Sequence, residues 1–400
     1  MQILFLHNNF PAQFGSLGLY LKNEGWDVWF GTQRKNSELP GLRVFNYEPH
    51  RAVSEKIHPY VANFENAAIN GQGMARAALG LRKSGLNPDI VVAHSGWGPG
   101  LFAKDVWPNA RYVGYFEWYY QRNAPDVEYF GREKRELDDD LRGRARNAAI
   151  LTDLASCDVG ICPTHFQNNQ FPDCFREKMK VIHDGIDTDV YKPNPNARLV
   201  LDDADLSGVD EIITYVARGM EPYRGFPQFM AALEDILKRR PNAHAVIVGE
   251  DRVAYGKKLP AGESFKTRAL KAHSFDMDRV HFTGLVPRNK YREIIQASTV
   301  HIYLTIPFVL SWSMMESMSA GCALVASNYE PVRELITHGE SGHLVNMKDK
   351  SAIVQAVEML LENSELREQY GAAARDRIVA NYAAKDIYPA KKEMFEALCA

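Results

Sequence analysis

The sequence is poor in several features that mark proteins for special environments. Cysteine is scarce: five residues in 400, at 157, 162, 174, 322 and 399. The number is odd and no two stand as C-x-x-C, which argues against a disulfide framework and leaves free thiols in a reducing cytoplasm as the expectation. Neither sign of charge is in excess. Forty-seven Lys and Arg face fifty Asp and Glu, a net charge of −3, so nucleic acid is not expected as a partner. No apolar run reaches roughly 18 residues, so no membrane-spanning helix is expected. The opening stretch MQILFLHNNF lacks a basic segment and a small-residue cleavage site, and reads as a first strand and not as a secretory signal. Its continuation, HNNFPAQFGSLG, lacks the G-x-G-x-x-G spacing of a dinucleotide fold, which argues against a nicotinamide-dependent dehydrogenase. Repeats, low-complexity tracts and His/Cys/Asp groups with metal-ligand spacing are also missing, so no metal or other cofactor is expected to be required.

What is present is a rhythm. Short apolar runs with few polar alternations occur at 2–7, 26–32, 89–95, 111–117, 159–164 and 180–185, and again at 212–218, 244–250, 279–285, 300–305 and 323–328. Such runs suit parallel strands covered on both faces. Between 226 and the RRPN at 239–242, apolar residues recur at Phe229, Leu233, Ile236 and Leu237 with helical spacing. A chain of 400 residues exceeds what one core serves. The expectation is α/β with two Rossmann-like, doubly wound domains and ligands at the carboxyl ends of the strands, in a cleft. The first domain is placed at 1–195, a Pro- and Asp-rich linker at 196–210, the second domain at 211–380, and a helix crossing back to the first domain at 381–400. The charged run at 132–149 reads as a solvated helix face, with Arg135–Asp139, Asp138–Arg142 and Asp140–Arg144 at i,i+4. A membrane or phosphate patch is the alternative there.

Candidate binding residues cluster at strand ends. Gly15 and Gly18 permit a tight turn before the first helix, whose free N–H groups suit an anion. In the second half, VARGMEPYRGF puts Arg218 at a strand end and Arg224 just before a helix. Guanidinium groups there can clamp a diphosphate with paired N–H donors. Further on, PFVLSWSMMESMSAGC carries a single carboxylate, Glu316.

Together these motifs resemble the retaining glycosyltransferases of family 4, which have the GT-B fold. VIHDGIDTDVYKP (181–193) resembles the family's interdomain signature, YVARGMEPYRGF its donor-phosphate loop with Arg224 in place of the usual Lys, and VHFTGLVP (280–287) the loop that reads the nucleobase through its backbone, including Val286. MMESMSAGCALVASN with PVRELITHGESGHLV is similar to the donor-site helix and the strand after it, while HNNFPAQF, AHSGWG and YFEWYY resemble a bacterial subgroup. The resemblance implies transfer of a sugar from a nucleoside-diphosphate sugar with retention, in surface polysaccharide or glycoconjugate synthesis. The acceptor would be a glycan, a lipid-linked molecule or a small molecule, and the site cytoplasmic, with contact at the inner membrane face left open. It implies that Glu316 accepts from the ribose hydroxyls, as an acceptor-only carboxylate can. It also implies a second acid at 308, where this chain has Phe308, and a turn of usually Gly-rich backbone where it has Val309, Leu310, Ser311, Trp312 and Ser313. A family His beside the transferred sugar is replaced by Glu117, with His94 a second candidate. Either would act at the reacting centre, the carboxylate by stabilising an oxocarbenium-like carbon. Two rival readings are an epimerase or hydrolase of the same fold, and a protein that binds sugar nucleotides without turnover.

Overall fold

A computed structural model describes residues 1–400. The chain forms two compact units, Met1–Asp184 with Lys385–Ala400, and Gly185–Ala384. In the first, seven strands, β1 (Gln2–Leu6), β2 (Asp27–Thr32), β3 (Arg43–Asn46), β4 (Ile90–His94), β5 (Arg111–Tyr115), β6 (Val159–Cys162) and β7 (Met179–Val181), pair in parallel in the order β3-β2-β1-β4-β5-β6-β7. In the second, six strands, β8 (Ile212–Gly219), β9 (His244–Glu250), β10 (Val280–Gly284), β11 (Val300–Tyr303), β12 (Leu324–Ser327) and β13 (His343–Val345), pair in the order β10-β9-β8-β11-β12-β13. The two doubly wound parallel sheets are those expected from the apolar runs.

The uninterrupted apolar character of the strands follows from their position. Along β1, Leu4 and Leu6 point into a core with Met74, Trp107 and Tyr112. Their neighbours Ile3 and Phe5 point the other way, into a core with Leu17, Val28 and Phe395. Successive side chains alternate between faces, so a strand covered on both must be apolar at every position. β3 and β13 went unread because they are edge strands of four and three residues, too short and too polar to show that pattern.

Each sheet changes winding direction once, between β1 and β4 and between β8 and β11. The loops leaving those strands run apart, which opens space at the carboxyl ends. Other expectations meet a more detailed structure. Within the stretch expected to be linker, Leu199, Leu201 and Leu206 are buried with Ile212, Val246 and Ile294. The helix Ala384–Cys399 belongs to the first unit and buries Met394 and Phe395 there. In the charged helix Leu137–Arg146 only Asp138–Arg142 forms, at 3.1 Å. Asp140 turns instead to Arg132, Arg135 and Arg122.

Candidate functional site

In the second unit, β8 ends with Arg218 exposed to solvent. The chain then turns through Glu221 and a 3-10 turn, Pro222–Arg224, into the helix Phe226–Arg239. Gly225 makes that junction possible. Its φ is +64°, and a Cβ there would lie 2.4 Å from the Cβ of Leu304. Arg224 is buried, with 5% exposure. Its Nη1 donates to Thr305 Oγ1 at 3.1 Å and to the Val309 carbonyl at 2.8 Å. The guanidinium also lies 5.1 Å from the centre of the Tyr255 ring. The sequence pairs the two arginines as equals, but the structure separates them. Arg218 is free to meet a ligand, whereas Arg224 ties the loop after β8 to the loop after β11.

Glu221 is fully buried. Its Oε2 accepts from the backbone N–H of Ala254 and from that of Tyr255, the latter at 2.7 Å. This fastens the loop after β9 against the end of β8. Burial raises the Glu221 pKa, and the two amides and Arg224 oppose the rise. The fastened loop brings the Tyr255 ring to 5.3 Å from Phe308, while Tyr223 stands 5.1 Å from it on an edge-to-face contact. Phe308, 8% exposed, therefore sits in an aromatic group of three that the sequence did not reveal.

The helix Trp312–Ser319 is capped by Ser311, whose Oγ accepts from Ser313 N at 3.3 Å and whose N–H donates to Tyr303 Oη at 2.9 Å. The serine hydroxyls, 2.8 Å apart, are thus engaged in the cap. Val309 and Leu310 are half-buried beside it, and Trp312 is exposed. One turn into the helix, Glu316 accepts from Tyr291 Oη at 2.7 Å. Burial raises its pKa, while the hydroxyls of Tyr291 and Tyr191 and the charge of Arg288 oppose the rise. Val286 lies half-buried in the loop after β10. Near that loop the ends of β8, β9 and β10 line a cavity of about 480 Å³, bordered by Met220, Glu250, Asp251, Lys266, Phe282 and Gly284. Tyr291 and Lys266 carried no signal in the sequence, and Tyr191 was read only as part of the 181–193 motif. Each is an ordinary residue until the fold brings it to the site.

In the first unit, His7 follows β1, His94 ends β4 and Glu117 lies two residues past β5. His94 Nδ1 bonds the Ser95 carbonyl at 3.0 Å and so carries the proton, leaving Nε2 3.4 Å from Glu117 Oε2. Burial works against the His94 cation, but the charge and hydrogen bond of Glu117, the Ser95 carbonyl and the Asp184 charge together outweigh it and the pKa is raised. Burial likewise works against the Glu117 anion, yet His94 and Gln13 hold its pKa down. Gln13 Nε2 donates to Glu117 Oε1 at 2.8 Å. The two residues proposed from sequence are therefore one group, with Gln13 as an unforeseen member. Gly15 and Gly18 were read as permitting a tight turn, but both lie within the first helix. Gly15 opens the helix Gly15–Asn23 where a Cβ would lie 2.6 Å from Pro11 Cβ, and a Cβ at Gly18 would lie 3.2 Å from Leu42. Close packing, not backbone freedom, favours glycine at both, most strongly at Gly15.

No helix of the chain is long and apolar enough to cross a membrane. Comparison with known proteins places residues 24–191 in the family described as Glycosyl transferase family 4 group, and residues 203–377 in Glycosyl transferases group 1. An uncharacterized glycosyltransferase of Methanocaldococcus jannaschii is 31% identical over 138 residues, 34% of this chain and 35% of that protein. A phosphatidyl-myo-inositol mannosyltransferase of Mycobacterium leprae is 40% identical over 167 residues, 42% of this chain and 41% of that protein. The chain thus spans about two fifths of the length of these curated relatives. Among solved structures, sucrose-phosphate synthase from Thermosynechococcus elongatus superposes with a TM-score of 0.75 at 16% identity, covering 100% of this chain and 99% of that one. HepE of Anabaena, in complex with UDP-glucose, superposes with a TM-score of 0.69 at 16% identity, covering 99% of this chain and 100% of that one.

Proposed function

We propose that this chain, which belongs to glycosyltransferase family 4 and has the GT-B fold, transfers a hexosyl group from a nucleoside-diphosphate sugar to an acceptor with retention at the anomeric carbon. One observation carries the reading. The second unit presents a free arginine, Arg218, at the carboxyl end of β8, and a phenol-held carboxylate, Glu316, in the helix that follows β11, the two strands that flank the switch point. A cation for a diphosphate and an acceptor-only group for a ribose diol are the two recognitions a nucleoside diphosphate needs. The names of the mannosyltransferase relatives and the UDP-glucose complex of HepE support a sugar-nucleotide donor.

As the bond from the anomeric carbon to the phosphate oxygen breaks, negative charge collects on the leaving diphosphate. Arg218 is the donor for that charge. Arg224 acts by holding Val309 and Thr305, which fixes the loop that carries Phe308 and the cap. We assign the acceptor to the first unit, with Glu117 as the carboxylate available to its hydroxyl. The reaction needs no metal in this reading, since arginine supplies the positive charge. All five cysteines are free thiols, which supports a reducing cytoplasm as the location.

The test is nucleoside diphosphate release from GDP-mannose, UDP-glucose and ADP-glucose, with and without glycan or lipid acceptors, and with EDTA. Release that depends on acceptor and survives EDTA, with the product's anomeric configuration matching the donor's by NMR, is the expected result. Binding without release would favour a sugar-nucleotide-binding protein. Release without an acceptor product, or isomerised donor, would favour the hydrolase or epimerase reading.

A further inference from the structure

Trp97 is half exposed, at 50% of its surface, on the loop after β4. Its backbone, by contrast, is held on every side. The Trp97 carbonyl accepts from Asn70 Nδ2 at 3.0 Å and from Asn8 Nδ2 at 3.4 Å. Asn70 is itself fixed by Gln33 at 2.9 Å, and Asn8 by the Tyr47 hydroxyl at 2.8 Å. Just before Trp97, Ser95 Oγ and Gly96 N donate to the buried Asp153, at 2.8 and 3.3 Å. Just after it, Gly98 has φ +100°, and a Cβ there would fall 1.9 Å from the Ala67 carbonyl oxygen. A loop fixed this firmly leaves the indole standing in water beside the sheet's switch point. Its ring centre is 6.4 Å from that of His94, whose Nε2 reaches Glu117.

A large aromatic face exposed on a rigid support is a binding feature, because little freedom remains to be lost when a ligand covers it. The chemistry around it selects the ligand. His94 is the group nearest the ring, and it links through Glu117 to Gln13, while Asn8 bonds the Trp97 carbonyl; none of these four is a lysine or arginine. A phosphate head group would want cations there, and an acyl chain would want more apolar surface. A pyranose wants what is present: an aromatic face for its C–H face, and amide and carboxylate groups for its hydroxyls. We propose that Trp97 is the stacking platform for a sugar ring of the acceptor, so that the acceptor is a carbohydrate at its reacting end. This rests on the transfer reaction proposed above and narrows its acceptor class.

The test is made on the full chain without donor. Methyl α-glucopyranoside, methyl α-mannopyranoside, methyl α-galactopyranoside and maltotriose are titrated against wild type, Trp97→Phe and Trp97→Ala, with saturation-transfer NMR and tryptophan fluorescence as readouts. At least one glycoside is expected to bind wild type, to bind Trp97→Ala at least tenfold more weakly, and to fall between the two in Trp97→Phe. The affinity for UDP and GDP, and the melting temperature, are expected to be the same in all three. Equal glycoside affinity in wild type and Trp97→Ala would overturn the platform. So would failure of every glycoside to bind wild type, or binding to phosphatidylinositol vesicles that is lost in Trp97→Ala. Because glycoside binding is read without donor, absence of nucleoside diphosphate release would count against the transfer reaction alone.

Discussion

Glu316 and Phe308 lie eight positions apart and call for different experiments. The phenols of Tyr291 and Tyr191 orient the Glu316 carboxylate. Glu316→Gln keeps its shape but replaces one acceptor oxygen with a donor, so donor KM is expected to rise about tenfold or more with a smaller change in kcat, the scale of a hydrogen bond to a charged group at about 1.5–3 kcal/mol. Burial raises the Glu316 pKa, so its charge is lost at a less acidic pH than that of a surface glutamate. Donor KM should therefore climb on acidification in the wild type and stay flatter in Glu316→Gln. Calorimetric titration with the nucleoside diphosphate checks both, and equal affinity in the two proteins would remove Glu316 from the site. Phe308→Ala removes a ring packed against Tyr223 and Tyr255 and should cost about 3–5 kcal/mol of stability. It is also expected to reorder preference among donors if, as the family resemblance implies, an aromatic wall stands in the proposed donor site where an acid would pair with a sugar hydroxyl. Lost stability with an unaltered donor order would leave Phe308 a packing residue only.

The element that most needs testing is the loop after β9, fastened by Glu221. Glu221→Ala frees the N–H groups of Ala254 and Tyr255. Those two amides should then exchange with deuterium faster, and donor KM should rise as Tyr255 leaves Phe308 and Arg224. Unchanged exchange at 254 and 255 would show that the loop is held by other means. The same element marks the limit of what the sequence reveals. β1, β4, β8 and β11 were legible because central strands need apolar residues on both faces. Arg218 and His94 were read from the sequence at the ends of β8 and β4, where they lie, while Glu316 and Glu117 were read through the family resemblance and lie in the helix after β11 and two residues past β5. The Glu221 fastening was not, because two backbone amides 33 and 34 residues away leave no mark in residue type. Arg224 was read as a ligand group because its residue type suits phosphate. Its burial on Thr305 and Val309 depends on a contact more than 80 residues distant.

For the whole molecule, two buried histidines work against acid. Burial pushes the pKa of His183 down to about 4 and that of His301 down to about 3. The fold therefore binds fewer protons than the unfolded chain below the ordinary histidine value, so this stability is complete above about pH 6.5 and is lost as pH falls. Asp153 works the other way. Burial raises its pKa to about 6, so its contribution is greatest below the ordinary aspartate value and is lost as pH rises through about 4 to 6. Glu221, Glu316 and His94, whose pKa values are also raised, act in the same direction as Asp153, so the contribution of the two histidines is read as the part of any fall in melting temperature between pH 6.5 and 4.5 that a substitution removes. His301→Asn cannot take up a proton and should flatten that fall. An identical pH profile in the variant would show that other groups govern it.

The helix Ala384–Cys399 has one more consequence, for the order in which a ribosome can deliver the parts. The first unit is assembled from both ends of the chain. While residues 185–384 are being made, Asp184 has no Lys391, 3.8 Å away in the finished fold, and the core around Trp26 lacks Phe395. The second unit can therefore close while the first is still waiting, although the first emerges earlier. A fragment of residues 1–184 should be poorly soluble alone and recover when a peptide of residues 385–400 is supplied. In translation, arrest after residue 384 should leave the second unit protease-resistant and the first still open to cleavage.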